Sequence, residues 1–197
     1  MVHILPHWNW PDRNGEVTPV HLFTSGDEAE LFLNGKSLGR KQKGQYEYRL
    51  RWDDVKYEPG ELKAVTYKNG KKWAEETVRT TGEPAGLRAE ADRSDIRADG
   101  RDLAFITVHV TDDKGLTVPV ADNLIEFEID GPAEIVATDN GDPTDMSPFV
   151  LRKRKAFNGM ALVIIRSVEG AAGKSTLTAE SYGLKKVTMQ IKSSTSE

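Results

Sequence analysis

A chain of 197 residues, 38% hydrophobic and 29% charged, holds one large domain or two small ones, and its apolar share suits two thin sandwiches better than one deep core. A formal net charge of −4 argues against a nucleic-acid partner, and the absence of cysteine rules out a disulfide framework and thiolate chemistry. The longest apolar stretch, residues 160–165, has the length of a buried strand and falls well short of the roughly 18 residues that span a bilayer, so no membrane partner is expected.

The first ten residues lack the basic start and extended apolar core of a signal peptide and read as the continuation of a longer chain. Period-two alternation then begins and helical spacing is scarce. Strands are expected over residues 20–24, 29–33, 46–52, 61–67 and 73–80. Turns at Ser25-Gly26-Asp27, Asn34-Gly35, Glu58-Pro59-Gly60 and Asn69-Gly70 separate them. The first Asn-Gly pair suits a type I′ turn, because both residues tolerate positive φ, and the second joins two more short strands as a hairpin. In the first hairpin Leu31 and Leu33 alternate with Glu30 and Phe32, and Ser37-Leu38-Gly39 starts the return strand.

Two glycines and a proline between Thr81 and Gly86 break the pattern and mark a domain boundary. After it Ile106, Val108 and Val110 share one face, as do Ile125, Phe127 and Ile129, and later Val187, Met189 and Ile191. Further strands are expected at 87–91, 162–168 and 175–179, and the polar residues 193–197 are expected to fray. The reading is all-β: two consecutive immunoglobulin-like antiparallel β-sandwich domains, residues 1–83 with an N-terminal docking segment at 1–16, and residues 84–197.

Chemistry-bearing motifs are few. Glu126 and Glu128 share one face of one strand, so they point the same way instead of flanking a sugar. Asp139, Asp142 and Asp145 make an oxygen-rich loop, a weak calcium candidate that lacks the Asp-x-Asp-x-Asp-Gly spacing and the bidentate Glu; turn chemistry explains it better. His3 and His7 are four apart but separated by Pro6, and neither His21 nor His109 lies in a nucleophile motif. No catalytic residue, metal or cofactor is assigned. The run Arg152-Lys153-Arg154-Lys155 reads as a solvated loop, with an anion patch as the alternative. Trp52 and Trp73 sit in strand patterns and are expected in the core. Trp8 and Trp10, with His7 beside them, fit three roles: docking on a neighbouring domain, stacking on a carbohydrate, or packing in their own core.

Several motifs together carry a resemblance. These are His3-Ile4-Leu5-Pro6-His7-Trp8-Asn9-Trp10, Val20-His21-Leu22-Phe23-Thr24, the hairpin from Glu30 to Gly39, Trp52, and Tyr57-Glu58-Pro59-Gly60-Glu61-Leu62-Lys63-Ala64. The run resembles the domain that follows the catalytic barrel in bacterial glycoside hydrolase family 2 enzymes, chiefly β-galactosidases. The second half resembles the next domain of those enzymes, through Ala91-Asp92-Arg93, Ala98-Asp99-Gly100, Asp102-Leu103, Asp139-Asn140-Gly141-Asp142-Pro143 and Phe157-Asn158-Gly159. The resemblance implies an accessory, non-catalytic part of a retaining β-galactosidase whose two catalytic glutamates lie in a barrel; no position here matches them. The implied partners are that barrel and the other domains of the enzyme. The alternative function is a carbohydrate-binding or adhesive module.

Overall fold

A computed structural model describes residues 1–195. The chain divides into two compact units, the first being Met1–Thr80 and the second beginning at Thr81.

The first unit holds seven strands and one turn of 3-10 helix at Pro11–Arg13. The strands are β1 (Val2–Leu5), β2 (Val20–Thr24), β3 (Glu28–Leu33), β4 (Lys36–Gln42), β5 (Arg49–Trp52), β6 (Glu61–Lys68) and β7 (Lys71–Arg79). They form two antiparallel sheets with strand orders β1-β2-β5 and β4-β3-β6-β7. Alternation decides which side faces in: Val20 and Leu22 of β2, Ala29, Leu31 and Leu33 of β3, and Leu62 and Ala64 of β6 form one buried cluster. Both expected hairpin turns have the I′ backbone, with φ of 50° and 79° at Asn34-Gly35 and 51° and 74° at Asn69-Gly70.

The second unit contains β8 (Gly86–Ala91), β9 (Asp95–Arg97), β10 (Leu103–Thr111), β11 (Leu124–Asp130), β12 (Ala133–Asp139), β13 (Lys153–Lys155), β14 (Met160–Ser167), β15 (Gly173–Glu180) and β16 (Val187–Ser194). Its sheets run β12-β14-β10-β8 and β13-β11-β15-β16-β9. Ile106, Val108, Ile125, Phe127, Val163, Ile165, Leu177 and Ile191 build its core. The all-β, immunoglobulin-like architecture expected from the sequence is present in both units.

Four local expectations are corrected. Trp73 is 50% exposed instead of buried. In the β6–β7 pairing Thr66 opposes Ala74 while Tyr67 opposes Lys72, so Trp73 is the extra residue of a bulge on an edge strand, and a bulge re-aims its side chain. The expected strand at 46–52 shrinks to Arg49–Trp52, leaving Tyr46 and Tyr48 exposed in the loop before it. The polar tail starts later than expected: Ser193 and Ser194 belong to β16, where they pair with Ile96 and Arg97, and Ser193 is buried. Ser196 and Glu197 lie outside the described residues. Finally, not every pairing is antiparallel. The chain leaves one sheet after β8 and enters the other as β9, which runs parallel to β16 and inserts Ile96 into the core.

The two indoles should respond differently to truncation. Trp8→Ala empties a fully enclosed site and should cost about 3–5 kcal/mol in chemical denaturation. Trp73→Ala should cost less than about 1 kcal/mol, since only an exposed contact to Lys68 and a hydrogen bond to Ser25 are lost. Equal losses would contradict this assignment.

Candidate functional site

The segment after β1 does not alternate. Pro6 and Pro11 bracket it, and Pro11 opens the short 3-10 turn. Trp8, one of the three residues singled out for an outside contact, is fully buried. Its ring lies 5.1 Å from that of Tyr57, its Nε1 donates to the Glu58 carbonyl at 2.9 Å, and its own carbonyl accepts from Thr80 Oγ1 at 2.7 Å. Burial satisfies the polar edge of the ring from within, so Trp8 is core and offers no platform to a sugar. His7 and Trp10 remain half-buried and stack at 4.3 Å with planes 19° apart. Trp10 Nε1 donates to the His7 carbonyl at 2.9 Å, and the Arg13 guanidinium sits 5.8 Å from the Trp10 ring. His7 Nδ1 accepts from the Asn9 amide at 3.2 Å, and burial lowers the His7 pKa. The result is a His7–Trp10–Arg13 ladder built on the first unit's core, suited to contact and without a group poised for proton transfer.

The oxygen-rich loop is occupied by its own backbone. Asp139 accepts from the Asn140 amide at 2.7 Å, and Asp142 accepts from the amide and hydroxyl of Thr144 at 2.8 and 2.7 Å. Asp145 accepts from the Ser147 amide at 2.8 Å, Asn140 Nδ2 at 3.0 Å and Arg154 Nη1 at 3.0 Å. Hydrogen bonds from Ser147, then the Arg154 guanidinium, hold the Asp145 carboxyl well below the usual carboxylate range. Among the described residues no group of three or more His, Cys, Asp or Glu is arranged to hold a metal ion.

Arg154 overturns the reading of the basic run as a solvated loop. Residues Lys153–Lys155 are β13, paired with β11, and alternation turns the middle residue inward. Arg154 is 2% exposed. Its Nη2 donates to the carbonyls of Thr138 and Pro148 at 2.7 and 3.0 Å, and its Nη1 also reaches the Ser147 carbonyl at 3.2 Å. One buried guanidinium therefore organises the 140–151 loop from below, while Met146, Phe149 and Val150 at its crest are exposed. The alternation Lys-Arg-Lys running into Ala156 was the available signal for this anchor.

The other acids and histidines singled out in the sequence do not converge on a common site. Glu126 sits directly across from Glu180 in the β11–β15 pairing, both exposed, and Lys186 pairs with Glu180 at 2.9 Å. Two carboxylates side by side on an outer sheet face do not enclose a glycosidic bond. His3 lies 3.3 Å from Glu76, and His109 Nδ1 meets Thr117 Oγ1 at 3.2 Å on the outer side of β10.

With this geometry in view, two family models match the chain. Residues 87–190 match "Glycoside hydrolase family 2 C-terminal domain 5", and residues 15–74 match "Domain of unknown function (DUF4982)". The chain is 44% identical over 97% of its length to a stretch of beta-galactosidase BoGH2A of Bacteroides ovatus, 22% of that protein. It is 31% identical over 98% of its length to a beta-glucuronidase of Formosa agariphila, 19% of that protein. The structure superimposes with a TM-score of 0.91 and 33% identity on a beta-glycosidase from Bacteroides vulgatus, covering 97% of this chain and 24% of that one. The chain thus spans about a fifth of the length of the curated relatives it matches.

Arg154→Met should destabilise the second unit by about 3–5 kcal/mol, because it strands buried carbonyls and the Asp145 carboxylate. Hydrogen exchange should speed up at residues 140–151. Asp145 stabilises the fold fully above the ordinary aspartate pKa of about 3.9, and that contribution is lost as pH falls below it. Asp145→Asn should therefore flatten the acid side of the stability–pH profile; an unchanged profile would contradict the pairing.

Proposed function

The chain belongs to glycoside hydrolase family 2, and on that premise we propose that it is the non-catalytic, C-terminal accessory part of a β-galactosidase. The observation that carries this reading is the alignment of nearly the whole chain with about a fifth of a beta-galactosidase at 44% identity, against 31% for a beta-glucuronidase. The parent enzyme hydrolyses terminal β-galactosides with retention, using two glutamates in a barrel that this chain does not supply. The two sandwiches support that barrel by packing against it and against the other domains. The exposed crest of Met146, Phe149 and Val150 and the His7–Trp10 stack are the contact surfaces of this reading. An ordered loop that presents apolar residues to water fits an interface within a larger polypeptide. A carbohydrate-binding role for Trp8 and Trp10 is disfavoured by the burial of Trp8.

Two measurements test the proposal. The isolated chain should show no turnover of chromogenic β-galactosides or β-glucuronides; clear turnover overturns it. In the enzyme that carries this segment, its removal should lower the thermal midpoint by several degrees and reduce β-galactosidase activity. A truncated enzyme with unchanged stability and activity would also sink the reading.

A further inference from the structure

Five Asn-Gly pairs occur in the chain, at Asn14, Asn34, Asn69, Asn140 and Asn158. Such a pair carries latent chemistry. The glycine amide nitrogen, with no side chain to shield it, attacks the asparagine side-chain carbonyl and closes a cyclic imide. An N–C bond forms, the Cγ–Nδ2 bond breaks, and Nδ2 leaves as ammonia with the proton that the glycine nitrogen gives up. Water then adds to one of the two imide carbonyls. The product is aspartate, or isoaspartate with the main chain running through the former side chain. Ring closure needs a free side chain, a free glycine amide and rotation about the asparagine Cα–C bond.

Four of the five pairs have one of these groups engaged. Asn34 Oδ1 accepts from the Glu61 amide at 2.8 Å and its Nδ2 donates to the Pro59 carbonyl at 3.2 Å. Asn140 Oδ1 accepts from the Asp142 amide at 2.9 Å, and its Nδ2 donates to Asp145 Oδ2 at 3.0 Å and to the Lys155 carbonyl at 3.1 Å. At Asn14 and Asn158 the nucleophile is held instead. The Gly15 amide donates to the Tyr57 carbonyl at 2.9 Å, and the amide of the buried Gly159 donates to the Ala121 carbonyl at 3.0 Å.

The fifth pair differs. Asn69 and Gly70 are both exposed, and neither the Asn69 side chain nor the Gly70 amide has a hydrogen-bond partner among the described residues. Nothing lies within 4 Å on the side where Gly70 would carry a Cβ, so the turn has room to rotate. It joins β6 to the edge strand β7, whose ladder the bulge at Trp73 already interrupts. Lys68, Lys71 and Lys72 line the same hollow as Asn69, and their positive charge favours loss of the Gly70 amide proton.

We propose that Asn69 is a modification site, the first asparagine of this chain to convert to aspartate and isoaspartate. The I′ backbone does not hold the Gly70 nitrogen against the Asn69 side-chain carbonyl, so conversion waits on local opening of the hairpin tip. At this pair alone among the five, opening breaks no hydrogen bond of either reacting group. The product carries a carboxylate on a residue whose amide donates to Asp27 Oδ2 at 2.8 Å. Isoaspartate also lengthens the two-residue turn, which disrupts the Lys68–Lys71 pairing. The inference does not depend on the accessory role proposed above.

The test is to age the full chain in mildly alkaline buffer, folded and in denaturant, and to follow ammonia release and the mass of peptides cleaved after glutamate. Fragmentation then places each gain of one mass unit on a residue. In the folded chain Asn69 should lead, with the other four sites roughly tenfold slower, as for net hydrogen bonds that must first be broken. In denaturant the five sites should convert at similar rates. Asn69→Gly keeps a pair suited to a I′ turn and should remove the fast phase of ammonia release with an unchanged thermal midpoint. The proposal is overturned if another asparagine leads in the folded chain or if all five convert alike there. It is equally overturned if Asn69 stays intact while the unfolded chain converts, or if Asn69→Gly retains the fast phase.

Discussion

A sheet has two faces, and in each unit one of them must be kept from water by a second sheet. Everything else in this molecule follows from that constraint. With inner faces made of Val20, Leu22, Leu31 and Leu62 in one unit and Ile106, Val108, Phe127 and Val163 in the other, alternate positions along each strand have no freedom to carry chemistry. Acids and bases are pushed to outer faces such as that of Glu126 and Glu180, where they are solvated and neighbour one another. A pair of sandwiches can therefore hold a larger protein together and offer grooves and loop crests.

Two polar side chains are tied to backbone in a way that positions irregular chain, as the cost of desolvation favours. Thr80 Oγ1 donates to the Trp8 carbonyl at 2.7 Å, accepts from the Gly60 amide at 3.0 Å and meets the Tyr57 hydroxyl at 3.2 Å, so the end of β7 locks the N-terminal segment in place. Arg154 does the corresponding work in the second unit. Both devices use a polar side chain, half-buried in Thr80 and buried in Arg154, to position irregular chain rather than regular strands. Irregular segments have no ladder of their own, so a side chain supplies the missing partners.

The family assignment and the geometry point the same way. In the unit matched to the family 2 C-terminal domain, the facing carboxylates Glu126 and Glu180 lie side by side on an outer sheet face, and the loop above Arg154 presents an apolar crest.

The strand pattern and the hairpins were legible in the sequence, because period two and Asn-Gly are local signals; residues 20–24 and the hairpin turns at Asn34 and Asn69 were read correctly without coordinates. The family resemblance was legible for the same reason, as short motifs retain their order. Tertiary structure alone decided the fate of single side chains. The strand pattern places Trp73 in the core and leaves Trp8 open to an outside contact, yet the N-terminal segment buries Trp8 and a bulge on an edge strand exposes Trp73. Arg154 looks like its lysine neighbours until β13 pairs with β11 and turns it inward. Periodicity determines which residues share a face; what that face meets depends on pairing and on distant chain, and those were set only when the sheets closed.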